Sequence, residues 1–225
     1  PSPDALRQIV DLLDGHPLAL EIVSAQISQN GPDYADDLPD LLSERLVSGE
    51  GLGLLNVDGD ETRYSNVEAV LALTYESLSR DLKRRFQALG VLAPDAPIPS
   101  HILSAIWADD IEDETGLIDS RNRMDALVSA GVLSKMDTIY SQHGLMRAYA
   151  QATLAQGGQQ EDVWQRYAGI VTLRADEGFE RSPETWRDLD PDIPHIHHVG
   201  DTFVDSVQKT LGETSLESLT QPEAP

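Results

Sequence analysis

The sequence contains no cysteine among its 225 residues, which excludes disulfide bridges, thiolate zinc sites and cysteine nucleophiles. Basic residues are also scarce, since 16 Lys and Arg stand against 39 Asp and Glu and give a net charge of −23. That balance argues against a protein that binds nucleic acid by neutralising phosphates. No apolar run approaches the roughly 20 residues of a membrane span, and no basic-then-apolar leader follows Pro1. We therefore expect a soluble, cytoplasmic protein without a membrane partner.

The length is typical of one large domain or two small ones, and it suffices for a hydrophobic core without disulfides or metals. The first residue is Pro rather than Met. We therefore expect this sequence to be a piece of a longer chain.

Apolar residues at three- and four-residue spacing predict a helical bundle over residues 1–80. A first helix starts near Pro3 and is interrupted by the segment 14–17, where Gly15 suits a helix end and Pro17 suits the first turn of the next helix. The clearest amphipathic stripe runs from Val67 to Leu78. The Gly- and Asp-rich segment 48–61 between these helices is predicted to be a loop.

Residues 81–155 have a different pattern, which predicts a winged-helix domain. Helix faces are expected around Leu82–Leu89, at Ile98–Ile106 and within Ile118–Ala130. Two β-type runs then follow, at 132–136 and 139–141, with a turn between them. Three helices and a terminal hairpin are the outline of a winged helix, and a further helix is predicted to start near His143.

The remaining sequence predicts the start of a further helical region, possibly of repeats, over 156–208. It also predicts a disordered tail over 209–225, where there is too little apolar mass for a core. The expected fold class is therefore mainly α: a helical bundle, a winged-helix domain and the opening of a further helical region.

Three motifs in order give a resemblance to a known family. The segment Gly15–Leu20, of the form Gly-x-Pro-Leu-Ala-Leu, resembles the signature of the helical subdomain in NB-ARC proteins, which are STAND-type signal-transduction ATPases. The segment 66–91 is similar to the passage from that subdomain into its winged helix. The segments 127–133 and 142–150 are similar to the end of the winged helix, and the whole resemblance spans residues 3–155 and is closest to bacterial members.

The resemblance implies a nucleotide-state switch that contacts ADP or ATP through Gly15, Pro17 and His143. Pro17 would pack against the adenine base, and His143 would contact the terminal phosphate of ADP. The chain would close over ADP to hold an inactive state, and exchange for ATP would release it and allow self-association. A downstream helical or repeat region would act as the sensor.

Two departures from the family pattern limit what this chain can do alone. Gly144 stands where the family usually has Asp, and Gln142 stands where it usually has Met. The sequence also has no Gly-x-x-x-x-Gly-Lys-Ser/Thr segment and no hydrophobic strand that ends in paired acids. An upstream P-loop domain of the same protein would therefore hold the phosphates and Mg²⁺, and we expect no ATP hydrolysis and no catalytic residue in this chain.

Simpler interpretations of the same residues remain open. Gly15 and Pro17 fit an ordinary helix corner, and His143 fits a capping residue. A winged-helix DNA-binding regulator and a nucleotide-independent interaction scaffold are the alternative functions. The basic cluster at 80–85 lies on the first helix rather than the third, so a solvated or salt-bridged face is favoured over a DNA contact. His195 and His197 would share one face of a strand, and Asp190 and Asp192 could supply oxygen ligands. Nothing fixes the four ligands that zinc needs, so no metal site is predicted.

Overall fold

The structure is a computed structural model that describes residues 1–49, 52–55, 64–107, 114–180 and 187–220. Side chains are described over the same ranges except 114–117, 179–180 and 210–220. Most of the predicted loop at 48–61 and of the acidic stretch at 109–114 lies outside the described residues. Within the described ranges, ten α-helices and one small antiparallel sheet confirm the mainly helical fold class.

Four helices form the amino-terminal bundle, and they are α1 (Pro3–Leu12), α2 (Pro17–Asn30), α3 (Tyr34–Ser48) and α4 (Ser65–Ser77). The hydroxyl of Ser2 accepts a hydrogen bond from the Ala5 N–H at 3.2 Å and caps α1. Helix α1 packs on α3, and α2 packs on α4. The stripe predicted on α4 is confirmed, because Val67, Val70 and Leu71 are all buried.

A winged-helix-like region follows, made of α5 (Arg80–Ala88) with a 3₁₀ turn at Leu89–Val91, β1 (Ile98–Pro99), α6 (Ser100–Ile106), α7 (Glu114–Ser129), β2 (Ser134–Met136) and β3 (Ile139–Ser141). The strands pair antiparallel in the order β1-β3-β2. The predicted hairpin of β2 and β3 is present, and its turn places Asp137 at a left-handed φ of 54°.

The sheet contains a third strand that the sequence pattern did not predict. Ile98 was placed on a helix face with Ile102 and Ile106, whereas the structure pairs it with Tyr140 of β3. Proline disfavours helical backbone in the residue before it, and Pro99 follows Ile98 directly. Ile98 is therefore extended, and α6 begins only at Ser100.

Three further helices complete the described chain, namely α8 (Gly144–Gly157), α9 (Gln160–Glu180) and α10 (Ile193–Thr220). Helix α10 differs from two expectations. The histidines at 195–198 lie in a helix rather than a strand, because Pro194 occupies the first turn, where a proline is tolerated. Helix α10 also continues to Thr220, through most of the segment that composition predicted to be disordered, since no proline interrupts it before Pro222.

One continuous apolar core links these regions, from Ile9 in α1 through Phe86 and Leu127 to Val171 in α9. The domain boundaries at 80, 155 and 208 therefore stay predictions. Among the described residues, no helix combines the length and the apolar character that crossing a membrane requires.

Gly90 marks a close approach between two backbone segments and supplies a stability prediction. A Cβ added there would lie 2.5 Å from the backbone of Gln151 in α8, so Gly90→Ala would force α8 away from the 3₁₀ turn. We expect the free energy of unfolding to fall by about 1–3 kcal/mol, measured by urea denaturation. Gly169→Ala is the matched control, because nothing lies within 4 Å of the added Cβ in α9. It should leave stability unchanged or raise it by about 0.5–1 kcal/mol; equal losses in both variants would contradict the close packing at Gly90.

Candidate functional site

The corner between α1 and α2 has the geometry that its sequence predicts. Gly15 has a left-handed φ of 63°, and its N–H donates to the carbonyl of Val10 at 3.0 Å, which closes the end of α1. Pro17 is the first residue of α2. Its lack of an N–H costs no hydrogen bond there, because the first N–H groups of a helix have no partner within the helix. The next two residues, Leu18 and Ala19, are buried in the core. The motif therefore holds an exposed proline ring on a firmly anchored helix start.

His143, the second predicted contact, is the N-cap of α8 and lies two residues after the end of β3. Its side chain is exposed, and its Nδ1 accepts a hydrogen bond from the N–H of Leu145 at 3.2 Å. With Nδ1 acting as acceptor, the neutral ring carries its hydrogen on Nε2. The capping role predicted as the simpler interpretation is thus present, and it leaves an N–H donor on the other side of the ring.

A carboxylate lies close to the position where the family usually has Asp. A Cβ added at Gly144 would be 3.8 Å from Oδ1 of Asp95, and Asp95 itself has a left-handed φ of 53°. The acidic group near the start of α8 therefore comes from the loop before β1 in this chain. Gln142, the other departure, has an amide whose nitrogen and oxygen are both buried without a hydrogen-bond partner among the described residues.

The predicted contacts lie at two separate helix starts. Pro17 begins α2 and His143 caps α8, and both of these helices pack against α4. Within the described part of the chain, no hydrogen bond or ion pair joins the corner at 15–17 to His143. Because both side chains are exposed, each is accessible to a ligand or to another domain.

The basic cluster of α5 takes part in contacts within the molecule. Arg85 is only 7% exposed, and its Nε donates to Asp81 at 3.1 Å. Lys83 lies over the ring of Tyr75, with its Nζ 5.4 Å from the ring centroid. Arg84 is exposed. The prediction of a salt-bridged face therefore holds for Arg85, and the cluster is not a uniform basic surface of the kind that binds DNA.

The histidine-rich segment forms a buried polar contact that joins the start of α10 to α9 and to the winged-helix-like region. We call this contact the α10 clasp and define it by Asp192, His195, Tyr167, His101 and Arg174. The Nδ1 of His195 lies 2.7 Å from the hydroxyl of Tyr167, and its Nε2 lies 2.9 Å from the carbonyl oxygen of Pro97. A carbonyl can only accept, so Nε2–H donates to it, and in the neutral ring Nδ1 accepts from the tyrosine hydroxyl. His195 is fully buried, which favours the neutral ring.

Asp192 provides the second half of the α10 clasp. One oxygen of its carboxylate lies 2.7 Å from Nε2 of His101 in α6, and the other accepts from Nη2 of Arg174 in α9 at 3.3 Å. Burial alone would raise the pKa of Asp192, but the hydrogen bond and charge of His101 and the charge of Arg174 lower it below the ordinary value. Burial lowers the pKa of His195, despite its bond to the Pro97 carbonyl. Burial likewise lowers the pKa of His198.

The α10 clasp is a set of partners that sequence analysis missed. The segment was considered only as a metal site, and no group of three or more metal-ligating side chains occurs among the described residues. The available signal was the three-residue spacing of Asp192, His195 and His198, which places polar groups on one face of a helix. Pro194 obscured that signal, because it favoured an extended segment.

Comparison with known proteins gives one relative at modest similarity. The chain is 29% identical to a probable disease resistance protein of Arabidopsis thaliana, in an alignment of 160 positions that covers 66% of this chain. The match covers 18% of that plant protein. No protein-family profile matches the sequence. The match to the plant protein supports at most a distant relationship between this chain and that disease resistance protein.

Proposed function

We propose that this chain is the regulatory, ADP- and ATP-sensing half of an NB-ARC-type signal-transduction ATPase. A P-loop domain of the same protein, outside the present sequence, holds the phosphates and Mg²⁺. This chain closes over ADP through Gly15, Pro17 and His143 and keeps the protein inactive. Exchange for ATP weakens that closure, the winged-helix-like region moves away, and the protein self-associates.

The observation that carries this proposal is the position of His143. Its Nδ1 is engaged with the backbone of α8, so the ring presents an Nε2–H donor from an exposed site at a helix start. A hydrogen bond from such a donor to a phosphate oxygen is worth about 1.5–3 kcal/mol, because the acceptor is charged. The amino end of the fourteen-residue helix α8 adds a favourable dipole for an anion.

Pro17 supports the proposal at the other end of the nucleotide. Its ring is exposed and rigid, and a base packed against it would cover apolar surface without ordering a flexible side chain. The buried neighbours Leu18 and Ala19 hold that ring in place. The corner therefore supplies the apolar contact, and His143 supplies the contact that depends on the phosphate.

The connection of His143 to the rest of the winged-helix-like region explains how a contact with the nucleotide would move a domain. His143 lies two residues after the end of β3, and β3 is the central strand of the sheet. Four residues into α8, the Nε of Arg147 donates to the carbonyl of Leu92 at 2.6 Å. A displacement of His143 would thus be transmitted to both the sheet and α8.

The nucleotide content of the full-length protein tests this function. We expect protein purified without added nucleotide to release ADP on denaturation, with Pro17→Ala retaining several-fold less because the base loses its apolar contact. Pro3→Ala is the matched control, since Pro3 also begins a helix but lies outside the motif. The absence of ADP from all preparations, together with no ADP binding on titration, would favour a nucleotide-independent scaffold. Equal ADP content in the two variants would remove Pro17 from the site.

A further inference from the structure

A cavity of about 760 Å³ lies between the 3₁₀ turn at Leu89–Val91 and the helices α8, α9 and α10. Its volume is within the range of pockets that hold small organic ligands, which is about 300–1,000 Å³. Neither the corner at 15–17 nor His143 lines it, so it is separate from both proposed nucleotide contacts. The cavity joins the winged-helix-like region to the three helices that follow it.

Apolar side chains form much of the cavity lining, and they include Leu154, Trp164, Val199 and Phe203. The ring of Trp164 packs against that of His198, with the ring centroids 5.8 Å apart and the rings nearly perpendicular. Phe203 is 69% exposed, although phenylalanine is among the residues most often buried. A ligand with an apolar body would remove this ring from water, which is favourable.

Arg147 provides hydrogen-bond donors in the same cavity. Its Nε donates to the carbonyl of Leu92 at 2.6 Å, which fixes the orientation of the guanidinium. Among the described residues, the two Nη atoms of Arg147 have no hydrogen-bond or ion-pair partner, and neither atom is closed off from solvent. The side chain is half-buried, and burial lowers the pKa of Arg147. A planar fork with open donors in such a position matches the two oxygens of a carboxylate.

The other charged and titratable groups nearby leave this fork open. Glu161 also lines the cavity, but it is exposed and accepts from Nε2 of Gln165 at 2.9 Å. The charge of Asp95 acts on Arg147, yet in the described part of the chain no ion pair joins the two. Burial and then the charge of Arg147 lower the pKa of His198, which favours a neutral ring. The lining has no excess of positive charge, so an anion is favoured by the open donors of Arg147 rather than by net charge.

We propose that this cavity binds a small organic carboxylate with an apolar body. The carboxylate would accept paired hydrogen bonds from the Nη atoms of Arg147, and the body would lie against Trp164 and Phe203. One guanidinium fork suits a monoanion. The apolar lining disfavours inorganic anions, because they have no apolar surface to cover it. The site does not depend on the nucleotide contacts proposed above.

Binding here would connect three helices. Arg147 lies on α8 and is tied to Leu92 just after the 3₁₀ turn, Trp164 lies on α9, and Phe203 lies on α10. A ligand that contacts all three would strengthen the packing of α9 and α10 on α8. It would therefore stabilise the arrangement that the α10 clasp also holds, and we expect it to raise the melting temperature of the protein.

Calorimetric titration of 4-phenylbutyrate into the full-length protein tests the proposal. We expect saturable binding with a dissociation constant in the millimolar range or below. The neutral analogue 4-phenyl-1-butanol should bind about tenfold more weakly, because it cannot accept the paired hydrogen bonds that a carboxylate accepts. Butyrate, which has no ring, should also bind about tenfold more weakly. No binding of 4-phenylbutyrate, or equal binding of the alcohol, would overturn the proposal.

Variants assign the binding to this cavity. Phe203→Ala should weaken the binding of 4-phenylbutyrate about tenfold, and its matched control is Leu173→Ala, which removes an exposed leucine of α9 outside the cavity. Because Phe203 is exposed, its substitution does not disturb the core. Arg147→Lys keeps the charge but loses the fork, and it should weaken binding about tenfold, whereas Arg7→Gln, in an exposed part of α1, should not. Equal affinities in the Phe203→Ala and Leu173→Ala proteins would contradict the site.

Discussion

Replacing His195 with alanine is expected to lower the free energy of unfolding by about 2–5 kcal/mol. The substitution leaves the hydroxyl of Tyr167 and the carbonyl of Pro97 without the partners that they have at 2.7 and 2.9 Å. Each unpaired buried polar group costs about 1–3 kcal/mol, and the lost ring leaves a cavity as well. Urea denaturation followed by circular dichroism measures the change.

His197→Ala is the matched control for this loss. His197 lies two residues further along α10, but its side chain is exposed. Its substitution should change stability by no more than about 0.5 kcal/mol. A His195→Ala protein as stable as the His197→Ala protein would show that the α10 clasp does not form in solution.

The α10 clasp also makes stability depend on pH in a defined direction. The pKa of His195 is lower in the folded protein than the ordinary 6.5, so below that pH the unfolded chain binds more protons than the folded one. Stability should therefore be complete above pH 6.5 and decline as the pH falls through that value, by up to about 1.4 kcal/mol per pH unit. His198 contributes in the same direction. The free energy of unfolding should fall less between pH 7.5 and pH 5.5 in the His195→Ala protein than in the natural protein. An equal fall in the two proteins would show that other groups cause the pH dependence.

Replacing His143 with asparagine in the full-length protein is expected to speed ADP release about tenfold. Asparagine is among the best N-cap residues, so it keeps the bond to the backbone of α8 that His143 makes now. It removes the Nε2–H that we propose to reach the phosphate. Release of a fluorescent ADP analogue, chased with excess unlabelled ADP, measures the rate.

This substitution separates the two interpretations of His143. If the residue only caps α8, the asparagine protein should retain ADP as the natural protein does. If His143 also contacts the nucleotide, retention falls while the unfolding free energy stays within about 0.5 kcal/mol. His197→Ala again serves as the control, because it removes an exposed histidine that lies outside both proposed contacts.

Much of the helical outline could be predicted because proline and glycine mark the helix ends. Pro17 and Gly31 bound α2, and Gly131, with a φ of 74°, ends α7 where the pattern predicted. The hairpin of β2 and β3 followed from its two β-type runs. Strand β1 was missed because it has only two residues, and a strand that short has no periodicity of its own.

The α10 clasp could not be predicted from local pattern, since its partners are far apart in sequence. His101 and Asp192 are separated by 91 residues, and Pro97 and His195 by 98. Only the packing of α9 and α10 on α6 and β1 brings them together.

The proposal that Gly15, Pro17 and His143 contact a nucleotide is based on the identity of these residues and on the family resemblance more than on the spacing of apolar residues. Sequence spacing placed Gly15 and Pro17 at a helix corner and His143 at a helix start, and the structure has both features. Their roles toward ADP remain predictions. Asp95 near Gly144 is an example of what sequence comparison alone misses, because the carboxylate comes from another part of the chain.

Calorimetric titration of ADP into nucleotide-free full-length protein, beside the His143→Asn variant, tests the nucleotide-sensing role of His143 most directly. We expect tight binding by the natural protein and about tenfold weaker binding by the variant, with ATP affinity changed less. No ADP binding by the natural protein, or equal ADP affinities in the two proteins, would contradict a nucleotide sensor at His143.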